Sequence, residues 1–90
     1  MEGAVRAEIT AYYGIPKSAS KRTRADMLSR YIRPAKKPDL DNVAKIVLDS
    51  LNGLAYKDDA AVVELVVDKF YSERPRVEVR LEETWVLMEE

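Results

Sequence analysis

The 90-residue chain contains no cysteine and no histidine. Without cysteine it forms no disulfide and carries no thiol nucleophile, and without either residue the usual ligands of a structural zinc ion are missing. A Ser-His-Asp triad and haem ligation through histidine are excluded as well. Acid–base or metal chemistry must therefore rely on aspartate, glutamate, lysine, tyrosine or arginine.

Long apolar runs are also missing from the sequence. The longest have four or five residues, whereas a membrane-spanning helix needs about 20. The first residues combine neither a basic region nor a long apolar core, so we expect no signal peptide and a cytoplasmic protein without a membrane anchor. With 47% hydrophobic and 34% charged residues, residues 1–90 are expected to fold as one domain, and dimerisation would enlarge its small core.

The net charge of −1 hides an uneven distribution of charge along the chain. Residues 1–45 carry ten lysines and arginines against five acidic residues, and residues 46–90 carry five against eleven. The densest basic cluster consists of Lys17, Lys21, Arg22, Arg24, Arg30, Arg33, Lys36 and Lys37. Such a cluster in an otherwise carboxylate-rich chain suggests a polyanion held near a metal site, but charge alone favours a solvated helix-and-loop surface.

Three segments have the residue pattern of β-strands. Residues 5–13 alternate between apolar and polar side chains, residues 62–71 are rich in β-branched residues, and residues 76–81 alternate again. Between the first two strands, Ser18 or Ser20 is expected to cap a short basic helix that runs to about Arg30. With one further helix, the order is strand–helix–helix–strand–strand, which predicts an α+β fold with a small mixed or antiparallel sheet packed with two helices.

The further helix is predicted from Asp39 to Asn52. Gly53 follows it and suits the left-handed conformation in which many helices end. Its apolar residues recur at steps of three and four, which indicates one face packed on the sheet. These residues are Leu40, Val43, Val47, Leu51 and Leu54, with Ala44 and Leu48 beside them.

Acidic residues gather at both ends of this helix. Asp39 and Asp41 lie at its start, Lys45 follows one turn later on the same face as Asp41, and Asp58 and Asp59 lie in the loop after it. If the loop folds back, the carboxylates form an oxygen-rich site for Mg²⁺, which prefers one or two carboxylates together with water and substrate phosphate. Lys45 would then stabilise negative charge that develops on a phosphate.

Each of these residues also has a simpler explanation. An aspartate at a helix start is commonly an N-cap, and an aspartate four residues before a lysine commonly forms a surface ion pair. Two aspartates before a strand are typical turn residues. The spacing alone leaves both interpretations open.

The sequence resembles the RusA family of Holliday junction resolvases in several motifs that occur here in the family's order. Asp39, Asp41 and Asn42 match its D-x-D-N helix start, and Lys45 matches the lysine four residues after the second aspartate. A helix that ends near Asn-Gly and an Asp-Asp pair before a valine-rich strand complete the pattern. The matching stretches are residues 37–53, 56–59 and 62–64, and the wider resemblance runs from about Val5 to Glu82.

This resemblance implies a homodimeric, Mg²⁺-dependent endonuclease that resolves four-way DNA junctions by paired phosphodiester hydrolysis in recombination and repair, with Mn²⁺ as a substitute metal. Family members are often carried by prophages. By the same resemblance, Asp39, Asp41 and Asp59 are the catalytic carboxylates that bind the metal, and Lys45 is the catalytic lysine. Asp58 matches a position that is often acidic and is a possible additional site residue.

For DNA binding, the resemblance adds Lys69 to the basic cluster of residues 17–37. Family members are longer than this chain, and Met1 aligns just ahead of their second strand, so the family's first strand, loop and helix have no counterpart here. The alternative function is therefore a truncated, non-cleaving module that binds branched DNA, or a prophage relic. Residues 83–90 lie outside the resemblance.

Overall fold

The computed structural model describes residues 3–84, apart from the side chain of Asp59. The elements in chain order are β1 (Val5–Gly14), α1 (Lys21–Leu28), α2 (Leu40–Leu51), a 3-10 turn (Asp59–Ala61), β2 (Val62–Ser72) and β3 (Arg76–Glu83). This order confirms the predicted α+β class. Residues 85–90, which include the apolar end of the chain, lie outside the described residues.

The three strands of the described residues form a mixed sheet in the order β2–β1–β3. β1 is parallel to β2, so that Val5 lies opposite Val62 and Gly14 opposite Ser72. β3 runs antiparallel to β1 on its other side. The predicted alternation of β1 is confirmed, because Val5, Ala7, Ile9 and Ala11 are at most 4% exposed while the residues between them are half-buried.

The core lies between β1 and α2. Val43 and Ala44 of α2 pack against Ile9 and Ala11, and the surrounding partly buried residues are Tyr13, Val47, Leu48 and Val67. The predicted apolar face of α2 is buried only in its middle, since Leu40 is 44% and Leu54 83% exposed. Leu54 lies beyond the end of the helix, because the chain leaves the helix at the extended Asn52 and Gly53 takes the predicted left-handed conformation, with φ of +79°.

Side-chain hydrogen bonds fix the start of α1 and the last turn of α2. Ser20 begins α1, and its hydroxyl accepts a hydrogen bond from the Thr23 amide at 3.2 Å, as the sequence predicts. After α2, the amide of Gly53 donates to the carbonyl of Tyr56 at 2.9 Å. Tyr56 is buried, and its hydroxyl donates to the Leu48 carbonyl at 2.9 Å, which holds the loop against the last turn of α2.

β3 is the less covered edge of the sheet within residues 3–84. Val77 and Val79 lie opposite Ala11 and Ile9 and therefore share the face on which α2 packs. α2 covers β1 and β2, and Val77 and Val79 remain 52% and 39% exposed. None of the helices in the described part of the chain is long and apolar enough to cross a bilayer.

Replacement of Ile9 by alanine tests whether the β1–α2 contact is the main core. Ile9 is 1% exposed, so Ile9→Ala should lower the free energy of unfolding by about 2–5 kcal/mol. The matched control is Ile46→Ala, because Ile46 is 62% exposed on α2 and its loss should cost less than about 0.5 kcal/mol. Urea unfolding followed by circular dichroism measures both, and equal effects would contradict this description of the core.

Candidate active site

Asp39 occupies the N-cap position of α2 without capping it. Its backbone is extended, and its carbonyl accepts the first helical hydrogen bond, from the Val43 amide at 3.0 Å. Its carboxylate, however, forms no capping bond to the amides of the first turn. Asp39 is therefore not an ordinary side-chain N-cap. Both oxygens of its carboxylate can bind another group.

Asp41 and Lys45 lie on the exposed side of α2, one turn apart. One oxygen of Asp41 accepts a hydrogen bond from the neighbouring Asn42 amide at 3.0 Å. Asp41 and Lys45, both fully described, do not form the surface ion pair that their spacing allows. The charges of both side chains thus face solvent at the start of the helix, where the positive end of the helix dipole favours a carboxylate.

Asp58 has the turn role that the simpler explanation assigns to it. One of its oxygens accepts a hydrogen bond from the Ala60 amide at 2.9 Å, and its carbonyl accepts one from the Ala61 amide at 2.9 Å. These bonds begin the 3-10 turn that leads into β2. Asp59 is the first residue of this turn, and its side chain lies outside the described part of the structure.

The two ends of α2 lie at opposite ends of the sheet. Asp39 is near the carboxyl end of β1, since the Tyr13 hydroxyl donates to the Pro38 carbonyl at 2.7 Å. The turn at Asp59 leads into Val62, which lies opposite Val5 at the other end of β1. The 12 residues of α2 between them span about 18 Å, so the backbone of one chain does not bring Asp39 and Asp59 together.

This separation limits which carboxylates of one chain can bind the same metal ion. Among the described side chains, which exclude that of Asp59, no three acidic groups converge on a common point. Asp39 and Asp41 alone supply the kind of donor that Mg²⁺ takes, because its usual protein sites hold one or two carboxylates and complete the shell with water and phosphate oxygens. The donor chemistry at the start of α2 therefore fits Mg²⁺, and a third carboxylate must come from elsewhere.

Four of the cations that the sequence assigns to DNA binding contact their own protein. Arg24 forms an ion pair with Glu73 at 3.3 Å, and the guanidinium of Arg30 stacks on the Phe70 ring at 4.1 Å. Arg33 pairs with Asp68 at 2.9 Å and stacks on the same ring at 4.3 Å. Lys69 is buried and donates to the Lys36 carbonyl at 2.6 Å.

The remaining predicted DNA contacts present their charge to solvent. Lys36 lies near the rings of Tyr13 and Tyr71, at 5.8 and 5.9 Å. The other four are exposed, and their side chains form no ion pair and no hydrogen bond within residues 3–84; they are Lys17, Lys21, Arg22 and Lys37. These five cations can reach phosphates without breaking a strong internal interaction.

Tyr13 lies close to Asp39, which the sequence alone does not reveal. The alternation of β1 places it on the core side, but nothing in that pattern shows that its hydroxyl reaches the Pro38 carbonyl beside Asp39. Burial raises the pKa of Tyr13 above its ordinary value, and the negative charge of Asp39 raises it further. Its hydroxyl therefore stays protonated and continues to donate to Pro38 at mildly alkaline pH.

The pKa of Tyr13 reports its proximity to Asp39. Asp39→Asn should lower this pKa while leaving it above the ordinary value, since the larger cause, burial, remains. A pH titration of tyrosinate absorbance in EDTA measures this shift. Comparison with Tyr13→Phe isolates the signal of Tyr13, and Asp49→Asn is the control. Because the pKa is raised in the folded state, this contribution to stability is complete below the ordinary tyrosine pKa and is lost as pH rises through the folded value. An unchanged Tyr13 pKa in Asp39→Asn would contradict this geometry.

Comparison with known proteins agrees with the resemblance in the sequence. The family model described as "Endodeoxyribonuclease RusA" matches residues 1–82. The chain is also 48% identical over 83 residues to the Bacillus subtilis (strain 168) protein named "Uncharacterized protein YqaN". That match covers 90% of this chain and 58% of the relative, so the chain spans somewhat more than half of the relative's length. No solved structure matches. The match over nearly the whole chain shows that it belongs to the RusA endodeoxyribonuclease family.

Proposed function

We propose that this protein is a Mg²⁺-dependent endonuclease that cuts four-way DNA junctions by paired nicks, with its active site at the start of α2. The observation that carries the proposal is the state of Asp39, which holds the N-cap position of α2 and leaves its carboxylate unbonded to the helix. In a member of a nuclease family, Asp39 placed in this way beside Asp41 is suited to bind a metal, and Lys45, one turn after Asp41, is suited to contact a phosphate.

The chain's own residues divide the chemistry between them. Asp39 and Asp41 would hold the metal, which, when bound, supplies a Lewis acid and a water of lowered pKa for attack on the phosphodiester. Lys45 faces solvent on the same side of α2 as Asp41, where its ammonium can approach the substrate phosphate and stabilise the charge of the transition state. No side chain of the chain is required as a covalent nucleophile.

A second copy of the chain would complete the site. Since Asp39 and Asp59 lie at opposite ends of α2, Asp59 joins the metal site only if it comes from another copy. The exposed Val77 and Val79 of β3 provide apolar surface that such a copy can cover. A two-fold dimer then holds two equivalent sites, which suits paired cleavage of a junction with two-fold symmetry.

The exposed cations favour DNA as the substrate. Lys17, Lys21, Arg22 and Lys37 are exposed residues between β1 and α2, and Lys37 lies two positions before Asp39. Each cation that neutralises a phosphate adds to the affinity and to its dependence on salt. We assign these four residues and Lys36 to phosphate contacts, and they would direct the DNA backbone toward Asp39 and Asp41.

The second candidate is a module that binds branched DNA without cutting it. The observation in its favour is that Lys17, Lys21, Arg22 and Lys37 are exposed and can contact phosphates without a metal ion. Under this alternative the exposed cations keep their function, and Asp39 and Asp41 have none.

A nicking assay on a synthetic four-way junction and a matched linear duplex separates the two candidates. The wild-type protein should make paired nicks in the junction that depend on Mg²⁺, are supported by Mn²⁺ and are abolished by EDTA. Asp41→Asn should lower the rate by more than about 100-fold, since groups that only orient metal ligands already contribute roughly 10- to 100-fold.

The matched control is Asp49→Asn, which removes the same charge from an exposed position two turns further along α2. Its nicking rate should equal that of the wild type. Junction binding without any metal-dependent nicking by the wild-type protein would contradict the proposed function and support the non-cleaving module.

A further inference from the structure

The segment that delivers Asp39 to the site is held by hydrogen bonds to its carbonyl groups. Two carbonyls of residues 33–38, hereafter the connector, accept bonds from side chains of the sheet. The Lys36 carbonyl accepts a hydrogen bond from the Lys69 ammonium at 2.6 Å, and the Pro38 carbonyl accepts one from the Tyr13 hydroxyl at 2.7 Å. Asp39 is the next residue, and its own carbonyl is bonded to Val43 at 3.0 Å. The backbone is therefore fixed on both sides of Asp39.

Lys69 is the unusual member of this arrangement. It is 8% exposed and is the one charged residue in the described core, and a buried ammonium is costly unless it is hydrogen-bonded. No acidic side chain among the described residues forms an ion pair with it. Its charge is instead directed at the Lys36 carbonyl and lies 5.0 Å from the centre of the Tyr13 ring.

Lys69 holds the other end of the connector as well. Its carbonyl accepts a hydrogen bond from Arg33 at 2.9 Å, and Arg33 is further fixed by the carboxylate of Asp68. The following residue, Pro34, is buried. One residue of β2 thus binds the connector through its main chain at Arg33 and through its side chain at Lys36.

We propose that Lys69, assisted by Tyr13, is a positioning residue that fixes the connector and thereby holds Asp39 in a geometry able to bind the metal. The two side chains contact each other and bond two carbonyls that are two residues apart. Without the ammonium, residues 36–38 lose one of their two attachments to the sheet, and the orientation of Asp39 is no longer fixed. The consequence for metal binding rests on the proposed function, whereas the consequence for the connector does not.

This role differs from the DNA contact that the sequence assigns to Lys69. A lysine that is 8% exposed and already bonded to a carbonyl has little ammonium surface to offer a phosphate. The exposed Lys37, two positions before Asp39, is better placed for such a contact. The two roles make different predictions for the same substitution.

Trypsin provides a test of the connector that does not depend on activity. Proline follows Arg33 and Lys37, and trypsin cuts poorly before proline, so the bond after Lys36 is its one good site in the connector. Lys69→Met and Tyr13→Phe should each raise cleavage at this bond several-fold relative to cleavage after Lys21, as mass spectrometry of the fragments shows. The controls Lys57→Met and Tyr31→Phe alter exposed residues and should leave the ratio unchanged.

The effect on the site is measured by titration of Mg²⁺ in the nicking assay. Lys69→Met should raise the Mg²⁺ concentration for half-maximal rate several-fold, while the rate at saturating Mg²⁺ and the junction affinity in EDTA stay close to those of the wild type. Tyr13→Phe should act in the same direction and more weakly. Direct binding of Mn²⁺, counted by electron paramagnetic resonance, should weaken in parallel.

Three results would overturn the proposal. Unchanged cleavage after Lys36, together with weaker junction binding whose salt slope falls by about 1, would make Lys69 a DNA contact. A uniform rise in cleavage at all sites with a lowered Tm, and no effect of Tyr13→Phe, would make Lys69 only a core residue. Faster cleavage after Lys36 with unchanged Mn²⁺ binding would show that the connector does not influence metal binding. If the wild type does not nick, the proposed function fails, and the trypsin and Mn²⁺ measurements still decide the role of Lys69.

Discussion

The parallel pairing of β1 and β2 determines where every candidate site residue lies. Parallel neighbours cannot be joined by a tight turn, so the chain must return along the length of the sheet before β2 begins. α2 makes this return, and its apolar face packs on β1 and β2 while its start lies at their carboxyl ends. Asp39 and Asp41 are therefore at one end of the sheet and the turn at Asp59 is at the other. Under the proposed function, this separation requires Asp59 of a second copy as the third carboxylate.

Internal contacts sort the basic residues of the chain into two groups. Arg33 stacks on Phe70 and Lys69 bonds the Lys36 carbonyl, so these two cations hold the connector on the sheet, while Arg30 stacks on the same ring from just after α1. The hydrogen bond of the buried Lys69 offsets the cost of burying its charge, and the contact of each exposed arginine with the ring adds a cation–π attraction. The exposed lysines keep their charge available to an external polyanion. Some cations of the basic cluster thus stabilise the fold, and others remain available to bind the substrate.

Local patterns in the sequence predict the elements of this fold well. The alternation of β1, the Ser20 cap and the positive φ of Gly53 are all confirmed, because each depends on neighbours along the chain. The exposure of Leu54 was not foreseen, since the helical stripe was continued past the residue that ends the helix. The sequence left the sheet as mixed or antiparallel, and only the long-range pairing of β1 with β2 decided between them.

The candidate site was less predictable than the fold for the same reason. The sequence identifies Asp39, Asp41 and Lys45 as neighbours on a helix, and their placement at its start follows from local rules. It contains no signal that Lys69 and Tyr13 reach the carbonyls of Lys36 and Pro38, because these bonds join residues about 33 and 25 positions apart. Nor does spacing show that Asp59 begins a turn at the far end of the sheet.

The central claim is that Asp39 and Asp41 of one copy act with Asp59 of a second copy. A subunit-mixing experiment tests it most directly, with Asp41→Asn and Asp59→Asn purified separately, then unfolded and refolded together, and with mixed dimers verified by mass spectrometry. Each variant alone should be inactive on a four-way junction. In a mixed dimer one site carries both substitutions and the other carries neither, so the mixture should regain Mg²⁺-dependent nicking of one strand. Verified mixed dimers that remain inactive, while wild-type dimers treated in the same way nick the junction, would contradict the claim.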